Sequence, residues 1–365
     1  MIGVARYIRE NPGFNVYLER DALKDQKLPP LSEWDGDGVI ANFDHPSVAA
    51  AVSRSGLPAV GFGSGYGWRS ASIPYFFSNN KMISQKAADH FLVRGFRNLA
   101  FCGYAKNRIN GWSQERERAF VSHLKLRGYS CAIYSDPFRT ARHWGAEQKA
   151  LGKWLMSLPK PVALLAANDS RGHQVLEACR AFELAVPQQV AVIGVNNDEL
   201  LCQLSNPPLT SIEQGTERMG YEAAALLERM MNGHRPRRRR FVIDPVRVVG
   251  RNSTDVLAVE DHLVAGAMAF ITANAMKGIK VSDVGRALGI SRSTLEARFK
   301  NALSFSIHAV IRRTRMDRVR ALVSGTTMPL KQIAASSGFR SVQHMTTLFK
   351  KSFAQSPARY RQGLH

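Results

Sequence analysis

Apolar and polar residues follow two different rhythms along this chain, and the rhythm changes near residue 255. From Phe14 to Val249, short apolar runs rich in Val, Ile and Ala alternate with stretches whose apolar residues recur every three or four positions. Such alternation is typical of βαβ units around parallel sheets. The predicted strands are Phe14–Leu18, Gly38–Asn42, Ala59–Phe62, Leu99–Cys102, Ala132–Tyr134, Val162–Ala166, Val190–Val195 and Phe241–Val249. The predicted helices are Ile83–Arg94, Gln114–Leu126, Trp144–Met156, Gly172–Phe182 and Glu217–Met231.

Most of the predicted strands end in a polar or glycine-rich turn. These turns are residues 42–44, 63–65, 168–170 and 196–198. In open parallel sheets, ligands bind just outside the carboxyl ends of the strands. We therefore predict a small-molecule site at these turns.

The pattern after the last predicted strand divides the chain into domains. Arg235–Arg240 is an arginine run that predicts an exposed loop, with phosphate contact as the alternative. Arg251–Asp255 reads as a polar connection, and from Asp261 onward the pattern is helical, with capping residues and no strand. We predict an α/β domain over residues 1–250, a linker over 251–260 and an all-α domain over 261–362.

Residues 281–300 have the pattern of a helix-turn-helix. The inward face of the first helix is predicted to comprise Val281, Val284, Ala287 and Leu288. Gly289 supplies the left-handed backbone for a sharp turn. Ser291 is suited to cap a second helix whose inward face is Leu295 and Phe299. This spacing leaves the second helix free to enter the major groove of DNA.

The same pattern recurs over residues 330–353. Gly338 marks the turn, Ser341 the cap, and Met345 and Phe349 the buried face of the second helix. The amphipathic stretch Ile307–Ser324 connects the two units into one rigid body. One chain could then read two successive major-groove faces on the same side of DNA, about one helical turn apart.

The charge distribution supports a polyanionic partner for the helical domain. The chain carries 50 Lys and Arg against 29 Asp and Glu, a formal net charge of +21. Residues 257–365 hold 17 Lys and Arg against 5 Asp and Glu, which is +12 and leaves +9 for residues 1–256. Such a concentration of cations favours nucleic acid over a merely solvated surface.

Cysteine spacing and the amino-terminal residues narrow the class further. The four cysteines, Cys102, Cys131, Cys179 and Cys202, lie far apart without a CxxC pair, so neither a zinc site nor a disulfide framework is predicted. The start lacks a secretory signal, and no apolar run approaches the roughly 18 residues of a membrane span. We expect a cytoplasmic protein without metal or cofactor.

The helical part of the chain resembles the DNA-binding domain of the AraC/XylS family. The resemblance rests on Gly338-Phe339, on residues 349–353 and on Ser356-Pro-Ala-Arg-Tyr-Arg, and it covers about residues 261–362. A doubled helix-turn-helix with this closing segment and this charge is a far more specific signal than a lone one. A plain helical bundle is the alternative.

This resemblance and the helical spacing imply which side chains meet DNA. Gln343 is suited to adenine, Glu296 to cytosine N4, and threonine methyls to thymine methyls. The predicted base-facing residues are Arg292, Ser293, Glu296, Ala297, Gln343, His344, Thr346 and Thr347. The residues predicted to hold phosphates are Arg298, Lys300, Arg340, Lys350 and Lys351. A solvated surface position is the alternative for each of them.

The α/β part resembles the sugar-sensing core of LacI/GalR regulators at residues 186–198, 219–227 and 251–254. That core is a two-lobed fold related to periplasmic sugar-binding proteins. The predicted fold is therefore a two-lobed, periplasmic-binding-protein-like α/β sensor domain with parallel sheets, followed by an all-α domain with two helix-turn-helix motifs.

The same resemblance implies a sugar site. Asn168 and Asp169 fall on an Asn-Asp pair that contacts sugar in that family, and Arg116 falls on its sugar-binding arginine. Asn196 replaces an acidic ligand, which keeps hydrogen bonding but removes a charge. The predicted ligand contacts are Arg116, Trp112, Asn168, Asp169, Arg171, Asn196 and Asp44.

The chemistry of this set suits a polyol, which is held by carboxylate, amide and guanidinium groups and by aromatic faces. Trp112 lies beside Arg116 and is placed to stack on a sugar ring, with core packing as the alternative. For Arg171 and His173 the alternative is a salt bridge.

The pairing of these two domains resembles the family of bacterial xylose-operon regulators over nearly the whole chain. The resemblance implies D-xylose as effector, a homodimer bound to double-stranded promoter DNA, and activation through RNA polymerase. In that family Met1–Ile8 matches the first helix rather than the first strand. The first strand of that family is therefore missing from this sequence: either translation starts upstream, or the protein lacks a strand in the middle of its amino-terminal sheet. We expect the upstream start, and that an extended chain would be more soluble and would bind sugar.

Two other classes of function were weighed. A sugar-binding or sugar-processing enzyme is disfavoured because the sequence contains no GxSxG, GxxxxGK[ST] or HExxH motif. Gly61-Phe62-Gly63 lacks the helix start of a dinucleotide site. The remaining alternatives are a DNA-binding regulator that responds to another sugar, or to none.

Overall fold

Two sheets form the centre of the α/β part in the computed structural model. The structure describes residues 1–18, 34–44, 46–63, 73–105, 110–134, 144–256, 261–303, 306–353 and 355–362. The chain divides into two compact units, Met1–Ala88 with Asn98–Asp255, and Asp89–Arg97 with Val256–His365.

The first sheet is four-stranded and parallel, in the order β1-β2-β3-β9. Its strands are β1 (Val39–Asn42), β2 (Ala59–Gly63), β3 (Tyr75–Ser78) and β9 (Arg240–Ile243). With it go α1 (Ile2–Glu10), α2 (Pro46–Ser55) and α8 (Thr216–Met231). We call this assembly the first lobe.

The second sheet is six-stranded, in the order β10-β8-β7-β6-β4-β5, and only the β10–β8 pair is antiparallel among its described pairs. Its strands are β4 (Asn98–Cys102), β5 (Ala132–Tyr134), β6 (Val162–Ala166), β7 (Val190–Val195), β8 (Thr210–Glu213) and β10 (Arg247–Val249). Its helices are α3 (Asn80–Val93), α4 (Gly111–Lys125), α5 (Trp144–Ser157), α6 (Asp169–Ala181) and α7 (Glu199–Leu204). We call this assembly the second lobe.

Burial explains why the central strands were easy to predict. Every residue of β6 and β7 is buried, because helices cover both faces of a parallel sheet. Such strands read as continuous apolar runs, and the predicted bounds Val162–Ala166 and Val190–Val195 are those observed.

Two strand predictions need correction, and two strands were not predicted. Phe14–Leu18 is not a strand, and Val16, Tyr17 and Leu18 are about half or more exposed. The predicted strand Phe241–Val249 is two strands in different sheets, β9 and β10, because the chain crosses between the lobes at residues 244–246. β3 and β8 were missed, since each is short and β8 mixes Thr, Ser and Glu with a single Ile.

The crossings between the two lobes are hydrogen-bonded to one another. Asn79 Nδ2 donates to Asp244 Oδ1 at 2.8 Å, and the Asn79 amide donates to the Ile243 carbonyl at 2.9 Å. The Val246 amide donates to the Glu213 carbonyl at 2.8 Å. A hinge made of a few element-terminal residues is the usual device for closing two lobes around a ligand.

The second unit contains a helical domain built on two apolar clusters that share one long helix. Its helices are α9 (His262–Asn274), α10 (Val281–Ala287), α11 (Arg292–Ala302), α12 (Ile307–Gly325), α13 (Leu330–Ser336), α14 (Val342–Phe353) and α15 (Pro357–Gln362). The first cluster takes Ile307, Val310 and Ile311 from α12, and the second takes Met316 and Val319 from it. The sequence prediction of two units joined by one amphipathic helix therefore describes this domain.

The turns of both helix-turn-helix units have the predicted backbone. Gly289 has φ +68° and Gly338 has φ +75°, a region that residues with a Cβ rarely adopt. The Ser291 hydroxyl accepts from the Thr294 amide at 3.1 Å, and Ser341 accepts from the His344 amide at 3.2 Å.

The buried faces of the second helices are also as predicted, since Leu295, Phe299, Met345 and Phe349 are all fully buried. One inward position in α10 is wrong. Ala287 is exposed, because α10 ends at that residue and the chain turns away.

None of the helices in the described part of the chain is both long and apolar enough to cross a bilayer.

Candidate functional site

A buried arginine lies at the carboxyl edge of the second lobe's sheet. Arg116, in the second turn of α4, is 3% exposed. Its Nη2 and Nε donate to Asn80 Oδ1 at 2.9 and 3.1 Å, and its Nη1 donates to the Ala167 carbonyl. Burial lowers the pKa of Arg116 to about 10, so the guanidinium remains charged at neutral pH.

Arg116 has no carboxylate within 4 Å among the described residues. A buried cation without a counter-charge is costly unless its donors find strong acceptors. Its guanidinium carbon lies 5.3 Å from the Trp112 ring centroid, which offers partial compensation. The site is therefore suited to a ligand rich in hydrogen-bond acceptors.

Asn168 and Tyr104 extend this cluster. The Asn168 side chain caps α6, because its Oδ1 accepts from the Arg171 amide at 2.9 Å and from the Tyr104 hydroxyl at 2.8 Å. The Tyr104 and Trp112 ring centroids are 5.8 Å apart, edge to face. With its oxygen occupied, Asn168 keeps its amide hydrogens as donors.

Asp169 and Arg171 are buried beside this cluster, and the Arg171 guanidinium carbon lies 4.9 Å from the Tyr104 ring centroid. Asp169 is 1% exposed, and its oxygens accept from the Asp198 amide at 2.8 Å and the Ser211 hydroxyl at 2.5 Å. Arg171 is fully buried and forms an ion pair with Glu147. Burial raises the pKa of Asp169.

The sequence placed both Asp169 and Arg171 in the site, and direct ligand contact by either stays a prediction. α6 begins at Asp169, and successive side chains rotate by about 100° around its axis, so the two side chains take different protein partners. The salt bridge weighed for Arg171 is present, whereas His173 contacts the Ser205 hydroxyl at 3.0 Å.

The loop after β7 has an unusual backbone. Asn196 has φ +124° and Asn197 has φ +55°. Among residues other than glycine, asparagine tolerates positive φ best, and such outliers often mark ligand-binding loops. The exposed Asn196 side chain accepts from the Gln214 amide, which lies on one of the crossings between the lobes.

Arg251 ties this loop to the segment by which the chain leaves the first unit. Its Nη2 donates to Asn197 Oδ1 at 2.9 Å and to Glu199 Oε2 at 2.7 Å. The Ser253 hydroxyl donates to the Val192 carbonyl at 2.6 Å, and Ser253 and Thr254 are buried. The first residues of the predicted linker are therefore fixed to the second lobe.

Asp44 lies at the carboxyl edge of the other sheet, directly after β1. Its amide donates to Asn42 Oδ1 at 2.8 Å. A Cβ on Gly63 would lie 2.6 Å from both Asp44 Oδ1 and the Tyr75 hydroxyl. These two polar groups therefore share the end of the first lobe's sheet, the edge where ligands of parallel sheets bind.

Two residues of the cluster, Asn80 and Tyr104, were missed from the sequence. Tyr104 follows β4, and the rule that ligands bind at strand ends could have found it. Asn80 follows β3, which was not predicted as a strand, so the same rule could not be applied to it.

The candidate DNA-reading face of the first helix-turn-helix is solvent-exposed along α11. Its predicted base-facing residues are all exposed, namely Arg292, Ser293, Glu296 and Ala297, as are Arg298 and Lys300. Arg292 Nε donates to Glu296 Oε1 at 2.9 Å, and Arg298 Nη1 donates to Asp261 Oδ2 at 2.8 Å. Two of the predicted base-facing residues, Arg292 and Glu296, are therefore paired with each other, and Arg298 is paired with Asp261.

The second reading face lies on α14. Gln343, His344 and Thr347 are exposed, whereas Thr346 is half-buried. The residues predicted to hold phosphates here, Arg340, Lys350 and Lys351, are all exposed. All of these side chains except Thr346 thus have the exposure that DNA contact requires.

The two helix-turn-helix units are fixed to each other at the middle of α12. Arg315 Nε donates to the Ala275 carbonyl at 2.8 Å, and its Nη2 donates to the Ile279 carbonyl at 2.6 Å. A Cβ on Gly338 would lie 2.7 Å from the Ala275 oxygen, so the second turn abuts the segment after α9. Sequence reasoning did not single out Arg315.

In the described part of the chain, neither a cluster of metal ligands nor a disulfide is present. No group of three His, Cys, Asp or Glu side chains there could hold a metal ion. All four cysteines are free thiols, with Cys102, Cys179 and Cys202 buried and Cys131 half-buried.

A two-lobed α/β sensor and a pair of helix-turn-helix units on one chain define a ligand-controlled transcription regulator. Family models support this class piece by piece. A periplasmic binding protein-like domain matches residues 88–254, a helix-turn-helix domain matches 284–363, and a XylR N-terminal domain matches 1–81.

The chain belongs to the family of xylose operon regulatory proteins. It is 33% identical to that protein of Escherichia coli K12 over 362 residues, which cover 98% of this chain and 92% of the relative. The Haemophilus influenzae protein is also 33% identical, with 98% and 93% covered. The predictions of a DNA-binding transcription regulator, and of no enzyme, are confirmed by these relatives.

Solved structures agree with this membership. The structure of a xylose-binding transcription activator, XylR, matches with a TM-score of 0.63 at 33% identity, over 99% of this chain and 93% of that one. A complex of the regulator CelR with cellobiose matches with a TM-score of 0.56 at 23% identity, over 69% and 77%. The second match shows the fold alone.

Proposed function

We propose that this protein is a cytoplasmic, homodimeric activator that binds D-xylose between its lobes and promoter DNA with its helical domain. The observation that carries the sugar site is Arg116, a buried cation without a carboxylate partner among the described residues, beside Trp112 and Asn168. The printed names of the relatives supply D-xylose as the first sugar to test.

The available hydrogen-bonding groups suit a pentose. Arg116 and the Asn168 amide provide donors, Asp44 and Asn196 provide acceptors, and Trp112 offers an aromatic face. Asp169 and Arg171 act as positioning residues, because they hold the loop after β7 and the start of α6.

Sugar binding acts on DNA through the relative position of the lobes. A ligand that contacts both sheet edges binds the closed form better, and it shifts the equilibrium only by that difference in affinity. Closure moves the loop of residues 196–198, which Arg251 connects to the exit of the chain. The altered exit then changes how two copies present their reading helices.

The helical domain supplies the DNA-reading surface, over the boundaries predicted from the sequence. We propose that α11 and α14 each enter a major groove, with Gln343 and Glu296 reading bases and Lys350 and Lys351 holding phosphates. Activation implies that the bound dimer contacts RNA polymerase.

The deciding experiment is a titration of the purified protein against its own upstream promoter DNA, at fixed salt, with and without D-xylose. D-ribose and cellobiose serve as matched sugars, and calorimetry measures sugar binding separately. We expect tighter DNA binding with D-xylose alone. Tight DNA binding that no sugar changes would show a DNA-binding protein without this sensor function. A response to another of the sugars would show that the effector is that sugar and not D-xylose.

A further inference from the structure

The arginine loop, residues 235–240, belongs to neither of the sites described above. It follows α8 and runs into β9. Five of its six residues are arginines, and all five are exposed, namely Arg235, Arg237, Arg238, Arg239 and Arg240. The sequence predicted an exposed loop, and that prediction is confirmed.

Four of the five arginines in this loop are not neutralised by an ion pair within the described part of the chain. Arg235, Arg237, Arg238 and Arg240 form no ion pair within 4 Å there. The five arginines also account for more than half of the +9 carried by residues 1–256. The cationic excess of the sensor domain is therefore concentrated at one place.

The loop lies far from the sugar site. β9 is parallel to β3, with Arg240 opposite Tyr75, so the loop precedes the amino-terminal edge of the first lobe's sheet. Asp44 lies at the opposite, carboxyl edge. A four-residue strand separates the two edges by about 13 Å, so the arginines have no part in binding sugar.

Two of the arginines are held in place by aromatic rings. The Arg238 guanidinium carbon lies 5.3 Å from the Phe241 ring centroid, and that of Arg240 lies 5.2 Å from the Phe77 centroid. Arg238 Nε also donates to the Arg240 carbonyl at 2.8 Å. Guanidinium groups ordered in this way lose less entropy when they bind, and their planar fork matches phosphate oxygens.

We propose that the arginine loop is a second DNA-contacting surface, which binds the phosphates of duplex DNA flanking the operator without sequence preference. The partner is DNA because this chain already binds duplex through its helical domain. Once that domain is seated, the tether gives the loop a high effective concentration of flanking phosphates. This inference rests on DNA binding and not on the identity of the sugar.

A guard role at the sheet edge is the competing explanation. β9 is the last strand in the described order of the first sheet, and charged residues on edge strands oppose aggregation. That role predicts no effect on DNA affinity.

The test compares R235Q/R237Q with R54Q/R118Q, which makes the same charge change at two exposed arginines elsewhere on the lobes. R235K/R237K retains the charge. Each protein is titrated against a short promoter fragment, limited to its footprint, and against the same fragment with 20 bp of arbitrary sequence on both sides, at 50 to 200 mM salt.

Each lost phosphate contact lowers the salt slope by about 0.9. For the long fragment we expect R235Q/R237Q to reduce the slope by about 1.8, so that its affinity deficit shrinks roughly tenfold between 50 and 200 mM salt. R54Q/R118Q and R235K/R237K should follow the wild type, and the short fragment should bind all four proteins alike.

Equal slopes for R235Q/R237Q and R54Q/R118Q on the long fragment would overturn the proposal, whether the loop then guards the edge strand or meets an acidic protein. Failure of every protein on the short fragment would instead mark failure of the reading domain. A missing response to D-xylose would bear on the sensor alone.

Discussion

At the scale of single residues, the proposed sugar site depends on a buried charge that has no carboxylate within 4 Å among the described residues. Arg116 is buried against Trp112, and its described partners are an amide oxygen and a backbone carbonyl. These three hydrogen bonds engage neutral acceptors, which do not cancel the charge, and a guanidinium has five N–H groups. We propose that Arg116 also donates to the hydroxyl oxygens of a ligand.

Replacing Arg116 tests this role. R116Q should weaken D-xylose binding by tenfold or more, because hydrogen bonds from a charged donor contribute about 1.5–3 kcal/mol. Calorimetry gives the sugar affinity, and DNA binding without sugar should be unchanged. R118Q, an exposed neighbour on α4, is the matched control. Wild-type sugar affinity in folded R116Q would remove Arg116 from the site.

Sequence reasoning found some of these residues and missed others for a physical reason. Arg116 and Asn168 were predicted because a resemblance marked their positions. Asn80 and Tyr104 carry no such mark, and they join the site only because β3 and β4 end beside α4 and α6. Asp169 was placed in the ligand set by the same resemblance, whereas its first-turn position on α6 directs it towards Ser211.

At the scale of elements, each reading helix combines a buried stripe with an exposed one. In α14, Met345 and Phe349 are fully buried while Gln343 and Thr347 are exposed. The period of the helix alone dictates this division. Along the same helix, Gln343 lies in the first turn and Lys350 and Lys351 lie in the last turn.

This division gives α14 two separable effects on DNA. Gln343→Ala should relax the choice at one base pair, where a good bidentate contact discriminates by about 1–3 kcal/mol. Lys350→Ala should weaken all DNA alike and lower the salt slope by about 1. Titrations against single-base variants of the operator distinguish the two. A uniform loss from both substitutions would refute this assignment.

At the scale of the whole molecule, the sensor must signal to the reader through the segment that leaves the second lobe. Arg251 joins the loop of residues 196–198, after β7, to this segment through Asn197 and Glu199. Allosteric coupling between two sites typically amounts to 1–3 kcal/mol. Arg251 also donates to the Leu209 carbonyl at 3.0 Å, and one side chain with these three partners can carry a coupling of that size.

Removing Arg251 should therefore uncouple the two functions. In R251A we expect near-normal sugar affinity, normal DNA affinity without sugar, and little or no change in DNA affinity when D-xylose is added. R247A removes an exposed arginine from β10 as a control. Thermal unfolding checks that R251A is folded. A sugar response of wild-type size in R251A would exclude this route.

The homodimer that we propose also belongs to this scale. Leu200 and Leu204 lie one turn apart on α7 and are 71% and 68% exposed, directly after the ligand loop. Residues four apart share one face of a helix. We infer that they pack against a second copy.

The inference predicts that L200D/L204D sediments as a monomer at concentrations where the wild type is a dimer. Its affinity for a promoter with two sites should fall by tenfold or more, because the second contact is lost. L126D, which alters a leucine that is 87% exposed at the end of α4, should leave assembly intact. A dimeric L200D/L204D would place the interface elsewhere.

The amino-acid sequence by itself determined what depends on local periodicity. The buried strands β6 and β7, the caps at Ser291 and Ser341, and the turns at Gly289 and Gly338 follow from short-range patterns. Each of these features is specified by residues within a few positions of one another, and the pattern is strong where both faces of an element are buried.

The tertiary structure alone decided what depends on residues distant in the chain. It split residues 241–249 between two sheets, turned Asp169 and Arg171 inward, and joined Arg251 to Asn197. It also placed Arg315 between the two helix-turn-helix units. The packing of lobes and helices determines which residue a side chain contacts. The sequence pattern around that side chain does not specify this contact, because the partner is distant in the chain.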